Sequence, residues 1–150
     1  LQYGAKIEAP TNDGRTPLYI AAAKGRLLAV KCLIKMRARG RASSDKEHLP
    51  LRGACLNGHG AVARVLLEQC ADTVNSTTTE ERGCWTPLHV AAKSGSVECI
   101  ELLLQHGADI EKEKSDGRTA LHVAASYGRL LAVKCLIEKR ARGTATDCKG

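Results

Sequence analysis

At 150 residues the chain has room for one compact domain with a buried core and little room for two. Hydrophobic residues at 43% against 26% charged describe a folded, water-soluble chain, and no apolar run approaches the roughly 18 residues that a membrane span needs. The 23 Lys and Arg against 16 Asp and Glu leave a formal charge of +7, so any electrostatic partner is expected to be acidic.

Residues 1–10 lack the charged start and apolar stretch of a secretory signal. The seven cysteines, at 32, 55, 70, 84, 99, 135 and 148, are odd in number and include no C-x-x-C pair and no Cys-His cluster at zinc spacing. Neither a disulfide framework nor a metal site is therefore expected. Several lie in apolar runs, where a thiol behaves as a small hydrophobe, which points to a reducing intracellular compartment, cytoplasmic or nuclear. Asn75-Ser76-Thr77 matches a glycosylation sequon, which the thiol pattern discounts.

In chain order, Thr16-Pro17-Leu18-Tyr19-Ile20-Ala21-Ala22 comes first and is followed three residues later by Gly25. A degraded copy, Leu49-Pro50-Leu51-Arg52-Gly53-Ala54-Cys55, precedes Gly58. Then come Thr86-Pro87-Leu88-His89-Val90-Ala91-Ala92 with Gly95, and Thr119-Ala120-Leu121-His122-Val123-Ala124-Ala125 with Gly128. The second positions, 17, 50, 87 and 120, are spaced by 33, 37 and 33, so the connection after the second copy is longer by four. A second apolar block keeps step: Cys32-Leu33-Ile34, Val65-Leu66-Leu67, Leu102-Leu103-Leu104 and Cys135-Leu136-Ile137. The ten residues 25–34 recur word for word at 128–137.

Each feature has a local cause. Thr before Pro starts a helix, its hydroxyl accepting from an otherwise unpartnered N–H while Pro takes a first-turn position where a missing donor costs nothing. Paired alanines make a thin face for close packing, and the following glycine ends the helix and turns the chain into a second one. Leu27, Val30, Leu33 and Ile34 fall on one face of that second helix. Neither helix buries its face alone, so the units must stack.

Thr-Pro-Leu-His-x-Ala-Ala-x-x-Gly followed by Leu-Leu-x-x-Gly-Ala resembles the ankyrin repeat, and the resemblance runs along essentially the whole chain. It is closest from Trp85 through Thr86-Pro87-Leu88-His89 to Leu102-Leu103-Leu104-Gln105-His106-Gly107-Ala108-Asp109-Ile110. It implies an all-α solenoid of four helix-turn-helix pairs with β-turn fingers, and a concave face of fingers and inner helices. The expected organisation is a single domain: 1–13 the tail of a preceding repeat, 14–46 repeat one, 47–82 repeat two with a longer following finger, 83–116 repeat three and 117–149 repeat four. Residues 1–7 echo 104–110, and no polar terminal face stands out, so partial repeats at both ends of a longer array are expected.

Repeat two departs most from the pattern. Leu49 replaces the capping Thr, Arg52 the usual His and Gly53 an apolar helical residue; the lost cap and the glycine each cost on the order of 1 kcal/mol. Its longer finger, residues 73–82, reads either as tolerated drift or as a partner contact. Arg37, Cys70 and Arg140 stand where the family places a left-handed glycine, represented here by Gly4 and Gly107, so those helix ends are expected to be built differently.

His89 and His122 occupy the fourth signature position, where the resemblance implies a structural hydrogen bond between turns. No Ser-His-Asp or Cys-His arrangement can be read from spacing, Cys32 and Cys135 fall in the apolar block as inert thiols, and no phosphate loop is present, so no catalytic activity and no cofactor are expected. The resemblance implies partner-facing positions on either side of the finger glycine and after the paired alanines. They are Asp13, Arg15, Ala23 and Lys24; Lys46, His48, Leu56 and Asn57; Trp85, Lys93 and Ser94; and Ser115, Asp116, Arg118, Ser126 and Tyr127. Trp85 and Tyr127 matter most, as large aromatics on rigid positions, although packing of Trp85 against the next finger competes with that role. Lys31, Lys35, Arg37, Arg39 and Arg41, and again Lys134, Lys139, Arg140 and Arg142, complement helix C-termini.

The expected function is a protein-protein interaction module presenting a concave, basic surface to another protein. The alternative is a basic structural spacer of a larger protein that docks to membrane headgroups or an acidic segment through the arginine clusters. Nucleic acid ranks last, because four aromatics and no Phe give few stacking platforms.

Overall fold

The computed structural model describes residues 6–36, 38 and 49–147, with side chains to residue 140. The expected partner position His48, with Lys46, Arg37, Arg39, Arg41 and the echo of 104–110 in residues 1–5, lies outside the described residues, as does the side chain of Arg142. Among the described residues eight α-helices follow one another: α1 Pro17–Ala23, α2 Leu27–Lys35, α3 Pro50–Leu56, α4 Gly60–Gln69, α5 Pro87–Ser94, α6 Val97–Gln105, α7 Ala120–Ser126 and α8 Leu130–Asp147. No strand occurs among the described residues. The chain is an all-α solenoid of four helix pairs.

The odd-numbered helices pack in one row and the even-numbered ones in a second row behind them. Small residues set the first row's spacing, with Ala22, Ala54, Ala91, Ala92 and Ala124 fully buried. The second row supplies bulk through Val30, Leu66, Leu67, Ile100, Leu103 and Leu136, all at most 2% exposed. Each such side chain contributes roughly 1.5–3 kcal/mol of transfer free energy. As the composition of the signature predicts, Thr16 and Thr86 cap α1 and α5, their hydroxyls accepting from Tyr19 N–H at 3.2 Å and His89 N–H at 3.3 Å.

Successive repeats are tied where each helix pair turns. His59 Nε2 lies 3.2 Å from Ala23 O, Ser94 Oγ donates to Cys55 O at 2.9 Å, and Arg129 Nε donates to Lys93 O at 2.9 Å. At Gly95 the turn has φ +81°, and a Cβ there would come within 2.9 Å of the Arg129 side chain, so both conformation and space call for glycine.

The fingers close by one repeated bond. Thr11 N–H donates to Arg15 O at 2.9 Å and Lys114 N–H to Arg118 O at 3.0 Å. In the long finger Thr78 N–H donates to Trp85 O at 3.0 Å and Trp85 N–H donates back to Thr78 Oγ1 at 2.8 Å, so the loop spans 78–85 against 11–15 and 114–118. A 3-10 turn, Glu80–Arg82, fills the extra length. Ser115 N–H donates to Gly83 O at 3.3 Å, joining this finger to the next. Asn75, the sequon asparagine, bridges to the following repeat, donating to Gly107 O and accepting from Asp109 N–H, both at 2.9 Å.

Cys70 ends α4 with φ −141° instead of a left-handed turn, and a 3-10 turn, Ala71–Thr73, follows. Arg140 ends no helix: α8 runs on to Asp147, where the resemblance placed a helix end, and ion pairs from Lys139 to Glu101 (3.4 Å) and from Arg140 to Glu111 (2.9 Å) accompany the extension. The duplicated stretch is not buried alike in its two copies. Cys135 lies against the preceding repeat, and burial pushes its thiol pKa up. Cys32, expected to lie in the apolar block, is exposed, and among the described residues no second-row helix precedes α2 to cover it.

Candidate functional site

The side of the molecule where the first-row helices meet the fingers carries most of the aromatic surface. Trp85 sits at the root of the long finger, half-buried and edge-on to His89 at 6.3 Å between ring centroids. Lys114 of the next finger places its ammonium 4.5 Å from the indole centroid. Lys93, at the end of α5, lies 5.6 Å from the Trp85 ring and 5.3 Å from that of Tyr127, the residue that closes α7. A row of Trp85, Lys93 and Tyr127 thus crosses repeats three and four, held by cation–π attraction and fixed helix ends. Tyr127 keeps 47% of its surface exposed. At the other end, Arg15 lies 6.0 Å from the Tyr19 ring and pairs with Asp13 at 2.8 Å.

Lys114 is only 7% exposed, and Asp116 answers its charge at 2.8 Å. Asp116 also takes Arg118 Nη2 at 2.6 Å and Nε at 2.8 Å. Arg118, with Lys114 behind it, holds the Asp116 carboxyl well below the usual carboxylate range. These three residues build the finger at 114–118, where Asp116 and Arg118 remain exposed.

His89 is 1% exposed, and its ring is fully occupied. Nδ1 accepts from Thr86 N–H at 3.2 Å, and Nε2 lies 3.2 Å from Arg118 O, so the neutral tautomer with the proton on Nε2 satisfies both ends. Burial lowers its pKa, with the Lys114 charge adding to the effect. His122 repeats the inner half of this arrangement, accepting from Thr119 N–H at 3.3 Å. Among the described residues no group of three or more His, Cys, Asp or Glu side chains could hold a metal ion, and no helix is long and apolar enough to cross a membrane.

Of the remaining positions named from the sequence, Lys24 is exposed at the end of α1. Asn57 Nδ2 donates to Gly53 O at 3.1 Å, and Ser126 Oγ to Val123 O at 2.9 Å. Ser94 is committed to Cys55 O and Ala91 O. Trp85, Lys93 and Tyr127 are brought together into one surface that spans two repeats, with Lys114 against the Trp85 ring.

Beside this row lies a groove of about 330 Å³ that the sequence reading missed. Its walls are Tyr19, Leu56, Val90 and Trp85, its floor is Gly53, and Thr78 and Arg82 reach in from the long finger while Arg52 and Lys93 border it. The signal was present as three departures of repeat two from the pattern, at Arg52, Gly53 and the finger. Taken singly each reads as weakness, and only the fold shows that they adjoin.

The family model described as ankyrin repeats, in three copies, matches residues 1–78 and 54–147. The chain belongs to the ankyrin repeat family. It is 35% identical over 147 residues to a transient receptor potential cation channel subfamily A member 1 homolog of Caenorhabditis elegans, covering 97% of this chain and 12% of that protein. It is 34% identical over 140 residues to the ankyrin repeat protein nuc-2 of Neurospora crassa (92% and 13%), and 33% identical over 145 residues to the human B-cell lymphoma 3 protein (91% and 31%). The chain therefore spans less than a third of the length of each of these relatives. Ankyrin repeats mediate protein-protein interaction, the class of function that the repeat pattern implies.

Proposed function

We propose that this chain is a non-catalytic binding module of an intracellular protein, and that its partner is another protein held on the concave side between the fingers and the first-row helices. The observation that carries the reading is the Trp85–Lys93–Tyr127 row, because its aromatics sit on helix ends and finger roots that the stack holds rigid. Large aromatics at fixed, part-exposed positions lose little entropy on binding and dominate interface energetics. His89 and His122, the two signature histidines, serve as capping residues.

The test compares the wild-type chain with the Trp85→Ala, Tyr127→Ala double variant as baits in cell extract, both checked for native helicity and washed at moderate salt. Proteins retained by the wild type should be lost from the double variant, and cross-links should fall on the finger side. Equal recovery on both baits, vanishing as salt rises, would overturn the reading and move attachment to the basic clusters near Lys139 and Arg140.

A further inference from the structure

Two cysteines meet at the joint between repeats two and three, and neither has a part in the concave-side reading. Cys55 follows Ala54 in α3, where the other copies of the signature place Ala22, Ala92 and Ala125. Cys99 lies in the first turn of α6, where the other second-row helices carry Ala29, Val62 and Ala132. The joint between repeats one and two therefore matches Ala22 with Val62, and that between three and four Ala92 with Ala132, all at most 2% exposed. The middle joint puts a sulfur at both places. Cys55 and Cys99 are each at 0% exposure, and the Cys55 thiol donates a hydrogen bond to the Cys99 sulfur.

The two thiols are not alike. The bond from Cys55, with a second from the Ser96 side chain, holds the Cys99 thiol below the ordinary cysteine range, against burial and the neighbouring Glu98 charge. Its place in the first turn of a nine-residue helix also favours negative charge. The same bond, with burial, pushes the Cys55 thiol well up. Cys99 is therefore the thiol that ionises first, and Cys55 the protonated neighbour held against it. A reactive cysteine beside a resolving one is the arrangement from which a disulfide forms.

We propose that Cys55 and Cys99 form an oxidation site, at which a hydroperoxide converts the two thiols into a reversible disulfide that clamps repeat two onto repeat three. The pair is buried, so the reaction proceeds through local opening of α3, a helix that starts without a side-chain cap and carries Gly53 in its middle. The Cys99 thiolate attacks one peroxide oxygen, the O–O bond breaks, and the departing oxygen takes up the proton that Cys99 gave up. The Cys55 sulfur then attacks the sulfenic sulfur of Cys99, the S–O bond breaks, and hydroxide leaves as water with the Cys55 proton. Two thiols and one hydroperoxide thus give one disulfide, one alcohol and one water, the second product being water as well when the oxidant is hydrogen peroxide. The sulfurs lose two electrons and the O–O bond gains them, and thiol exchange with a dithiol returns the pair to its reduced form. The bond closes a loop from residue 55 to residue 99 that contains the long finger and Trp85, which constrains the unfolded chain.

The intact chain is oxidised with graded hydrogen peroxide under native conditions, blocked with an alkylating reagent in denaturant, digested and read by mass spectrometry. A peptide pair joined through Cys55 and Cys99 should appear, and dithiothreitol should separate it. Cys55→Ala and Cys99→Ala install the residue of the matching positions in the other joints, so both should fold, and both should lose the joined pair completely. Cys55→Ala should in addition accumulate a sulfenic acid at Cys99, trapped by dimedone, that the wild type does not. The wild-type urea midpoint should rise on oxidation relative to Cys55→Ala given the same treatment, and return on reduction. Cys55 and Cys99 recovered as free thiols after exposed Cys32 has been oxidised would overturn the proposal. So would a joined pair that forms only in urea, or one that leaves the midpoint unmoved or lower.

Discussion

Repeats two and three build the same joint from different residues. In repeat three His89 accepts from Thr86 N–H and reaches Arg118 O, the carbonyl just before the next signature threonine. In repeat two Arg52 Nη2 donates to Trp85 O at 3.4 Å, the carbonyl in the matching place, and to Ser76 O at 3.2 Å. The longer side chain keeps the tie between repeats and also gathers in the inserted finger. Repeat two lacks the threonine cap, yet every residue of α3 from Pro50 to Cys55 is buried. In a stack the bonds and packing between repeats outweigh the cap within one. The expectation of a weakened second repeat counts local costs alone, against which these ties to the neighbouring repeats act.

If that comparison holds, the largest single effect belongs to Arg52→Ala. It removes the bonds to Trp85 O and Ser76 O from a buried charged donor, and the expected loss is about 2–3 kcal/mol, read as a lower urea midpoint. Arg52→His should recover part of the loss, since imidazole can reach the Trp85 carbonyl but not Ser76. A loss no greater than that of an exposed arginine such as Arg64 would mean that the tie is dispensable and that packing alone orders repeat two. A second contrast concerns the caps. Thr86→Ala should cost about 1 kcal/mol, whereas Leu49→Thr should leave stability within about 1 kcal/mol of wild type. Leu49 is 7% exposed, so the cap gained there is offset by apolar burial lost.

A smaller effect distinguishes the long finger from the fingers at 11–15 and 114–118. Cys84 stands two residues before Thr86, where Gly14 and Gly117 stand before Thr16 and Thr119, and like them it is left-handed, at φ 52°. That conformation costs a residue bearing a Cβ roughly 1–2 kcal/mol, while glycine adds chain entropy to the unfolded state. Cys84→Gly should therefore stabilise the chain by about 0.5 kcal/mol in thermal or urea unfolding, and destabilisation would show that the Cys84 side chain makes a contact worth more than the strain.

Much of the fold was legible because its signals are local. Thr16-Pro17, the paired alanines and Gly25 each act within a few residues, so helix starts, the thin face and the turn could be read in order. The row of Trp85, Lys93 and Tyr127 was half legible: the residues were named as separate finger and helix positions, but their meeting depends on the rise from one repeat to the next. The groove was not legible. Arg52 finds its partners 24 and 33 residues away, and Tyr19 turns over Gly53 from the preceding repeat. No local rule assigns value to a glycine and an arginine that look like losses until the stack brings the long finger over them. Ser94, Asn57 and Ser126, named as partner-facing because they follow the paired alanines, also bond through their side chains to backbone carbonyls, a role that their position after the alanines does not announce.

The subtlest difference between the two joints is their response to acid. Arg52 stays charged throughout, whereas His89 must stay neutral, because a proton on Nδ1 would face Thr86 N–H. Its folded-state pKa lies below the ordinary 6.5, chiefly through burial. Between the two values the unfolded chain binds the extra proton and the folded chain does not, so stability rises with pH there. The contribution is complete above pH 6.5 and is lost as pH falls through that value toward the lowered one. Urea midpoints measured across that window should decline toward acid for the wild type, and the decline should shrink in His89→Gln, which keeps a donor for Arg118 O but has no proton to gain. A slope that survives His89→Gln in that window would place the acid sensitivity elsewhere, whereas the Asp116 carboxylate, held between Lys114 and Arg118, adds its own decline only at lower pH, from the ordinary carboxylate range downward.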